Sequence, residues 1–140
     1  MQRPTPLAKL LRITLPAALL LPALAIAPAR AADIYVIANV PGLTPDDVRE
    51  IYTGERQMAG SIKLVPLDNA ALQAEFVQKA LRMDVTKYGT LWTKKSFRDG
   101  LNAPAVKGSD VEIIHLVKKT PGAIGYVATA PADVMVIQKY

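Results

Sequence analysis

"TPGAIGYVA", Thr120 to Ala128, decides how the rest of the chain is read. Pro121 has no amide hydrogen and cannot continue a helix, so any helix arriving from "DVEIIHLVKK" (Asp110–Lys119) must stop here. Gly122 and Gly125 allow a turn and close backbone approach. "AIGYV" (Ala123–Val127) is apolar enough for a buried strand. A helix that hands over at once to a strand is the mark of a layered α/β domain.

Working back from this block, Ser109 is placed to cap the helix, and Lys118 and Lys119 suit its negative end. Asp84 caps another helix, Val85 to about Phe97, with Tyr88, Leu91 and Trp92 as its apolar stripe. Gly89 weakens that helix by about 1 kcal/mol relative to alanine. "RDGLNAPAVKGS" between the two reads as a loop. "AALQAEFVQKALRM" is a core-facing helix with Asp68 or Asn69 at its cap. At 100° per residue, Leu72, Ala74, Phe76, Val77, Ala80 and Leu81 share one side. "SIKLVPL" (Ser61–Leu67) is a short strand.

"DIYVIANV" (Asp33–Val40) is a branched apolar strand, and "PGLTPDDVREIYTG" carries a full helix start. Thr44 sits at the cap, Pro45 at the first helical position and Asp46 and Asp47 in the first turn. Leu43 can pack on Val48, and Gly54 supplies the stop. "DVMVIQ" (Asp133–Gln138) is a last strand. The expected order is β-α-β-α-α-α-β-β, an α/β layer with a mostly parallel sheet flanked by helices.

The first 31 residues read as a secretory signal peptide. Arg3, Lys9 and Arg12 precede the uncharged run Ile13–Ala27, and Ala29-Arg30-Ala31 offers a cleavage site. The run is shorter than the 18–20 or so residues needed to span a bilayer. Export to the periplasm is expected, leaving one domain over 32–140. The whole chain is +5, but four basic residues and no acidic one leave with the signal. The mature part keeps thirteen basic and twelve acidic side chains. That balance argues against a nucleic-acid partner. No cysteine is present, which excludes disulfides, thiolate metal sites and a cysteine nucleophile.

No residue pattern points to catalysis, and no cofactor or metal is expected. His115 is the only histidine and lies on the polar side of its helix, where a zinc site would need two or three further ligands. Asp46 and Asp47 are better accounted for as helix-start carboxylates than as an acid/base pair. The serines lie outside any G-x-S-x-G elbow, and no phosphate-binding glycine loop is present. Tyr88 and Trp92 have the spacing of core residues. One feature invites a binding role. The strand ending near Leu67 runs into a helix whose free amide groups, at Asn69, Ala70 and Ala71, could hold an anion.

"LTPDDVREIYTGE", "IKLVPLDNAALQAEFVQKALRMDVTKYGTLWTKKSF" and "HLVKKTPGAIGYV" together resemble the phosphate-type substrate-binding proteins of ABC transporters, and more closely their half-size exported relatives. The matching features are Ile51-Tyr52-x-Gly54, Phe76, Trp92, Phe97 and Thr120–Tyr126, within about residues 34–130. The resemblance implies a single lobe of the type II periplasmic-binding-protein fold. It implies binding of phosphate or another small oxyanion for transport or sensing, with a membrane transporter or sensor as partner. Two departures stand against a straightforward transfer. The family's Arg-x-x-x-Ser-Gly-Thr type segment is here Pro66–Leu72, without arginine, serine or threonine and with Asp68 added. About 109 residues cannot form the two lobes of a clamshell. The alternative is an interaction module without a ligand, docking on a membrane sensor, transporter or porin, or forming a homodimer.

Overall fold

The computed structural model describes residues 32–140, with Gln2 alone before them. The expected signal peptide lies outside the described residues. Residues 32–140 lie in one compact unit.

The first strand, β1 (Tyr35–Ala38), is followed by α1 (Pro45–Tyr52), and Asp47 accepts from the Thr44 N–H at 2.8 Å, fixing the helix start as expected. One element then appears that the sequence did not announce, the strand Met58–Ala59, and it splits an expected one. Met58–Ala59 (β2) and Ile62–Lys63 (β3) pair as a minimal antiparallel hairpin, so the expected strand Ser61–Leu67 is divided. Its second part, β4, runs Val65–Asn69. The helix after it, α2 (Gln73–Leu81), begins three residues later than its expected start, with Leu72 at the cap position. Asp68 and Asn69 are therefore strand residues and not caps. Extended pairing with a further strand, β5 (Ala105–Lys107), holds them in the sheet through Leu67, Asp68 and Asn69. That strand lies inside the stretch expected to be loop. Helix α3 (Val85–Asp99) starts at Asp84, whose carboxylate accepts from the Lys87 N–H at 2.7 Å. Helix α4 (Asp110–Lys119) starts at Ser109, whose hydroxyl accepts from the Glu112 N–H. Strands β6 (Ala123–Val127) and β7 (Met135–Lys139) end the chain.

The large sheet has the order β5-β4-β6-β1-β7. Strands β5, β4 and β6 are parallel neighbours, and β1 is antiparallel to both β6 and β7. Four of the five strands thus point one way and β1 runs against them. The sheet is mostly parallel, in the α/β class expected.

Alternation along the strands feeds two cores. Ile34, Val36, Ile124 and Tyr126 face α1, α2 and α3, and pack with Val48, Ile51, Tyr52, Phe76 and Trp92. Ile37, Leu67, Ala123 and Val127 face α4, with Ile113 and Val117. Strand β6 is buried at every residue because both of its faces are covered. The Thr120–Ala128 block works as expected. Gly122 has φ +85° and donates to Asn39 O, while Val65 N–H donates back to Gly122 O. A Cβ there would lie 2.2 Å from Lys63 O, and one on Gly125 would lie 2.6 Å from Ile113 Cγ2. Among the described residues no helix is long and apolar enough to cross a membrane.

Candidate functional site

The carboxyl ends of the parallel strands β4, β5 and β6 gather the polar residues of the interior. Alternation along β4 sends Leu67 and Asn69 to the α4 face and Asp68 to the α2/α3 face. Asp68 is 1% exposed. Its Oδ1 accepts from the Tyr126 hydroxyl at 2.9 Å. Its Oδ2 accepts from the Tyr88 hydroxyl at 2.8 Å and from Gln73 Nε2 at 3.2 Å. Burial pushes the carboxyl above its usual range, and these three donors oppose that rise. Burial also pushes both tyrosine hydroxyls well up, and the Asp68 charge adds to it, so they remain protonated donors. Tyr52, fully buried beside them, donates its hydroxyl to Leu67 O at 2.8 Å and ties α1 to the same strand.

Asn69 is fully buried on the other face. Its Nδ2 donates to Asp110 Oδ1 at 2.7 Å and to Tyr126 O at 3.1 Å, and its Oδ1 accepts from the Ala71 N–H at 3.2 Å. Asp110 Oδ2 accepts in turn from the Ala128 N–H. The Ala70 N–H donates to Lys107 O and the Leu72 N–H to Asn69 O. Asn69, Ala70 and Ala71 are thus neighbours in a strand end and its turn. The Asn69 carboxamide and the Ala70 and Ala71 N–H groups all have acceptors within the protein.

Next to Asp68 the surface opens into a cleft of about 460 Å³. Asp68, Gln73, Tyr88, Trp92, Phe97 and Val106 are among its lining residues, and among the described residues no Lys, Arg or His is. Trp92 is otherwise a core residue, its Nε1 donating to Tyr52 O at 3.1 Å. Phe97, one turn further along α3, is 90% exposed. Arg56 and Lys63 line a different cleft of about 380 Å³, which also meets Trp92 and Pro104. A larger hollow of about 710 Å³ between α2 and α3 brings together Arg82, Asp84 and Lys87, but Asp84 there serves as the α3 cap. His115 is exposed. Among the described residues no group of three or more His, Asp or Glu side chains is placed to hold a metal ion.

Sequence reasoning passed over Asp68 as a binding residue and treated it as a cap. Its partners stand 20 and 58 residues away, and only the folded sheet brings them together.

No protein-family model matches the sequence, and no curated protein does. Among solved structures, the chain is similar to the crystal structure of an ABC-type phosphate transport receptor from Vibrio cholerae. The two share 17% identity with a TM-score of 0.47, over 76% of this chain and 46% of the receptor. The chain thus spans less than half of that receptor's length.

Proposed function

We propose that this chain is an exported, solute-binding-protein-like lobe that takes up a small molecule for transport or sensing and performs no catalysis. The observation that carries this reading is the cleft beside Asp68. The cleft runs between α3 and the edge strand β5, reaches Asp68 near the carboxyl end of β4, and carries five polar side chains on its wall, Asp68, Gln73, Tyr88, Thr93 and Ser96. Its size falls in the range of small-molecule sites, about 300–1,000 Å³. The sequence blocks that resemble phosphate-type binding proteins support the same class.

Phosphate or another oxyanion at Asn69, Ala70 and Ala71 is the ligand that this resemblance brings with it. Binding there requires Ala70 and Ala71 to release Lys107 O and Asn69 Oδ1, and it places a dianion near the Asp68 carboxylate. Thermal unfolding of the protein, stripped of phosphate, against phosphate, sulfate and a panel of small solutes at matched ionic strength tests both levels. A ligand at about 100 times its Kd stabilises the fold by about 2.7 kcal/mol. For a domain near this size that raises Tm by roughly 10–20 °C, at 4–8 °C for each kcal/mol. A saturating shift with one solute supports the binding reading, and with phosphate over sulfate supports the oxyanion. No shift across the panel turns the reading to the interaction module.

That second reading has its own observation. Phe97, Val106 and Val85 are exposed apolar residues grouped around one cleft. A homodimer formed through them would close the cleft from outside. Sedimentation of the protein and of Phe97→Ser separates the two readings, since only a dimer seated on Phe97 dissociates on that change.

A further inference from the structure

Among the described residues, the carboxylate in the cleft wall has no counter-charge. Every hydrogen bond that Asp68 accepts comes from a neutral group, two tyrosine hydroxyls and one carboxamide. A buried carboxylate is ordinarily paired with a cation, because desolvation of the lone charge is costly. Among the described residues no basic side chain lines the cleft beside it, whereas the exposed ring of Phe97 and the edges of the buried Tyr88 and Trp92 do. Aromatic faces attract cations and repel anions. The outer position on Oδ2 belongs to Gln73, a half-buried residue at the first position of α2 that holds a neutral bond of 3.2 Å. Of the three donors it is the one at the longest distance.

Resting on the solute-binding reading, we propose that this cleft selects a small organic cation: a protonated amine on an apolar body, with the ammonium displacing the Gln73 amide from Asp68 Oδ2 and the body lying on Trp92 and Phe97. Charge complementarity carries the choice of ligand class. An ammonium supplies the charge that Asp68 lacks, and exchanges a neutral hydrogen bond for a charge-assisted one of roughly twice the strength. The exposed ring of Phe97 then has an apolar partner. A phosphate in the same place meets a like charge and no cation.

Trp92 is the only tryptophan of the chain and lines the cleft, so its emission reports occupancy. The probes are benzylammonium, benzyl alcohol and benzoate, which share a body and differ in charge, titrated at matched ionic strength. The expected result is a saturable change with benzylammonium, binding weaker by about tenfold or more for the alcohol, and none for benzoate. Asp68→Asn should make the ammonium and the alcohol bind alike. Gln73→Ala, a change at a half-buried helix start, should tighten the ammonium several-fold and the alcohol by less, because the vacated Oδ2 gains a charge-assisted bond only from the ammonium; it keeps the test open if Asp68→Asn does not fold. Equal or better binding of the alcohol or of benzoate overturns the cation while leaving a solute site in place. Silence with all three probes, or a preference for the ammonium over the alcohol that does not rise on Gln73→Ala, also overturns it. The thermal panel then judges the solute-binding reading separately.

Discussion

Tyr88 from α3, Tyr126 from β6, Tyr52 from α1 and Gln73 from α2 surround Asp68, and none can neutralise it. Its folded pKa is raised by burial above the ordinary 3.8, so the proton is held more tightly in the folded chain. The stability this contributes is complete below the ordinary pKa and is lost as pH rises through the folded value. Asp47 behaves in the opposite way. The Thr44 backbone N–H holds its pKa down, so its contribution is present above 3.8 and is lost as pH falls through the lowered value. The Asp47 window lies at the acid end and is shared by Asp68→Asn, so the difference between the two proteins from about pH 3 to about pH 8 isolates Asp68. Denaturant unfolding should show the protein losing stability across that interval relative to Asp68→Asn, by about 1.4 kcal/mol for each tenfold tightening of the proton. Parallel profiles would mean that the carboxylate is not held out of water. Gly122 gives a test of a different kind. Its φ of +85° is nearly that of Gly42, at +80°, but a Cβ on Gly42 meets nothing within 4 Å while one on Gly122 meets the Lys63 carbonyl. Gly42→Ala should cost about 1–2 kcal/mol, the left-handed strain alone. Gly122→Ala should cost about 3 kcal/mol or more, because backbone must also move. Equal losses would show that the approach of Gly122 to β3 is not a constraint.

Helix α3 holds a core residue and a surface residue five positions apart, and they should respond differently. Trp92 sits over Gly54, whose Cβ would lie 2.8 Å from Trp92 Cη2, so the glycine that ends α1 also makes room for the indole. Phe97 on the same helix is 90% exposed. Asp84→Ala removes the bond to Lys87 N–H and should lower stability by about 1 kcal/mol. Phe97→Ser should change it by less than about 0.5 kcal/mol in the monomer. Urea midpoints of the two variants measure this, and a large loss on Phe97→Ser would show that the ring is covered. These elements also show what could be read in advance. Helices α1, α3 and α4 were legible because their caps, Thr44, Asp84 and Ser109, act on residues two or three positions away. Strands β1, β6 and β7 were legible because their apolar runs are continuous. Strands β2 and β5 are two or three residues long, and what makes them strands is a partner, β3 for the first and β4 for the second. Val106 in "NAPAVKGS" is extended because it lies beside Asp68, a neighbour that no local pattern names. The same cause hid the candidate site. Asp68 and Asn69 have the composition of a helix cap, and only pairing with β5 and bonds to Tyr88, Tyr126 and Asp110 make them interior residues.

Across the whole molecule, one sheet separates two apolar cores that do not touch through side chains of the same strand face. Ile124 and Tyr126 serve the core beneath α1, α2 and α3, while Ala123 and Val127 serve the one beneath α4. Strand β6 joins them, being buried throughout and bonded to β4 on one side and β1 on the other. Loss of either core therefore exposes one face of the strand that supports the other, and the two should melt together. Ile113→Ala on α4 tests this at a distance. Ile113 is fully buried against Gly125, and its truncation should cost about 2–5 kcal/mol. Trp92 lies on the opposite face of the sheet and reports the other core through its emission. If the cores are coupled through β6, Ile113→Ala lowers the midpoint seen by Trp92 as much as the midpoint seen by far-ultraviolet circular dichroism. If Trp92 keeps its original midpoint while the circular dichroism splits into two transitions, the α4 layer unfolds alone. The sheet would then be a boundary between two cooperative units, and a ligand in the Asp68 cleft would stabilise only one of them.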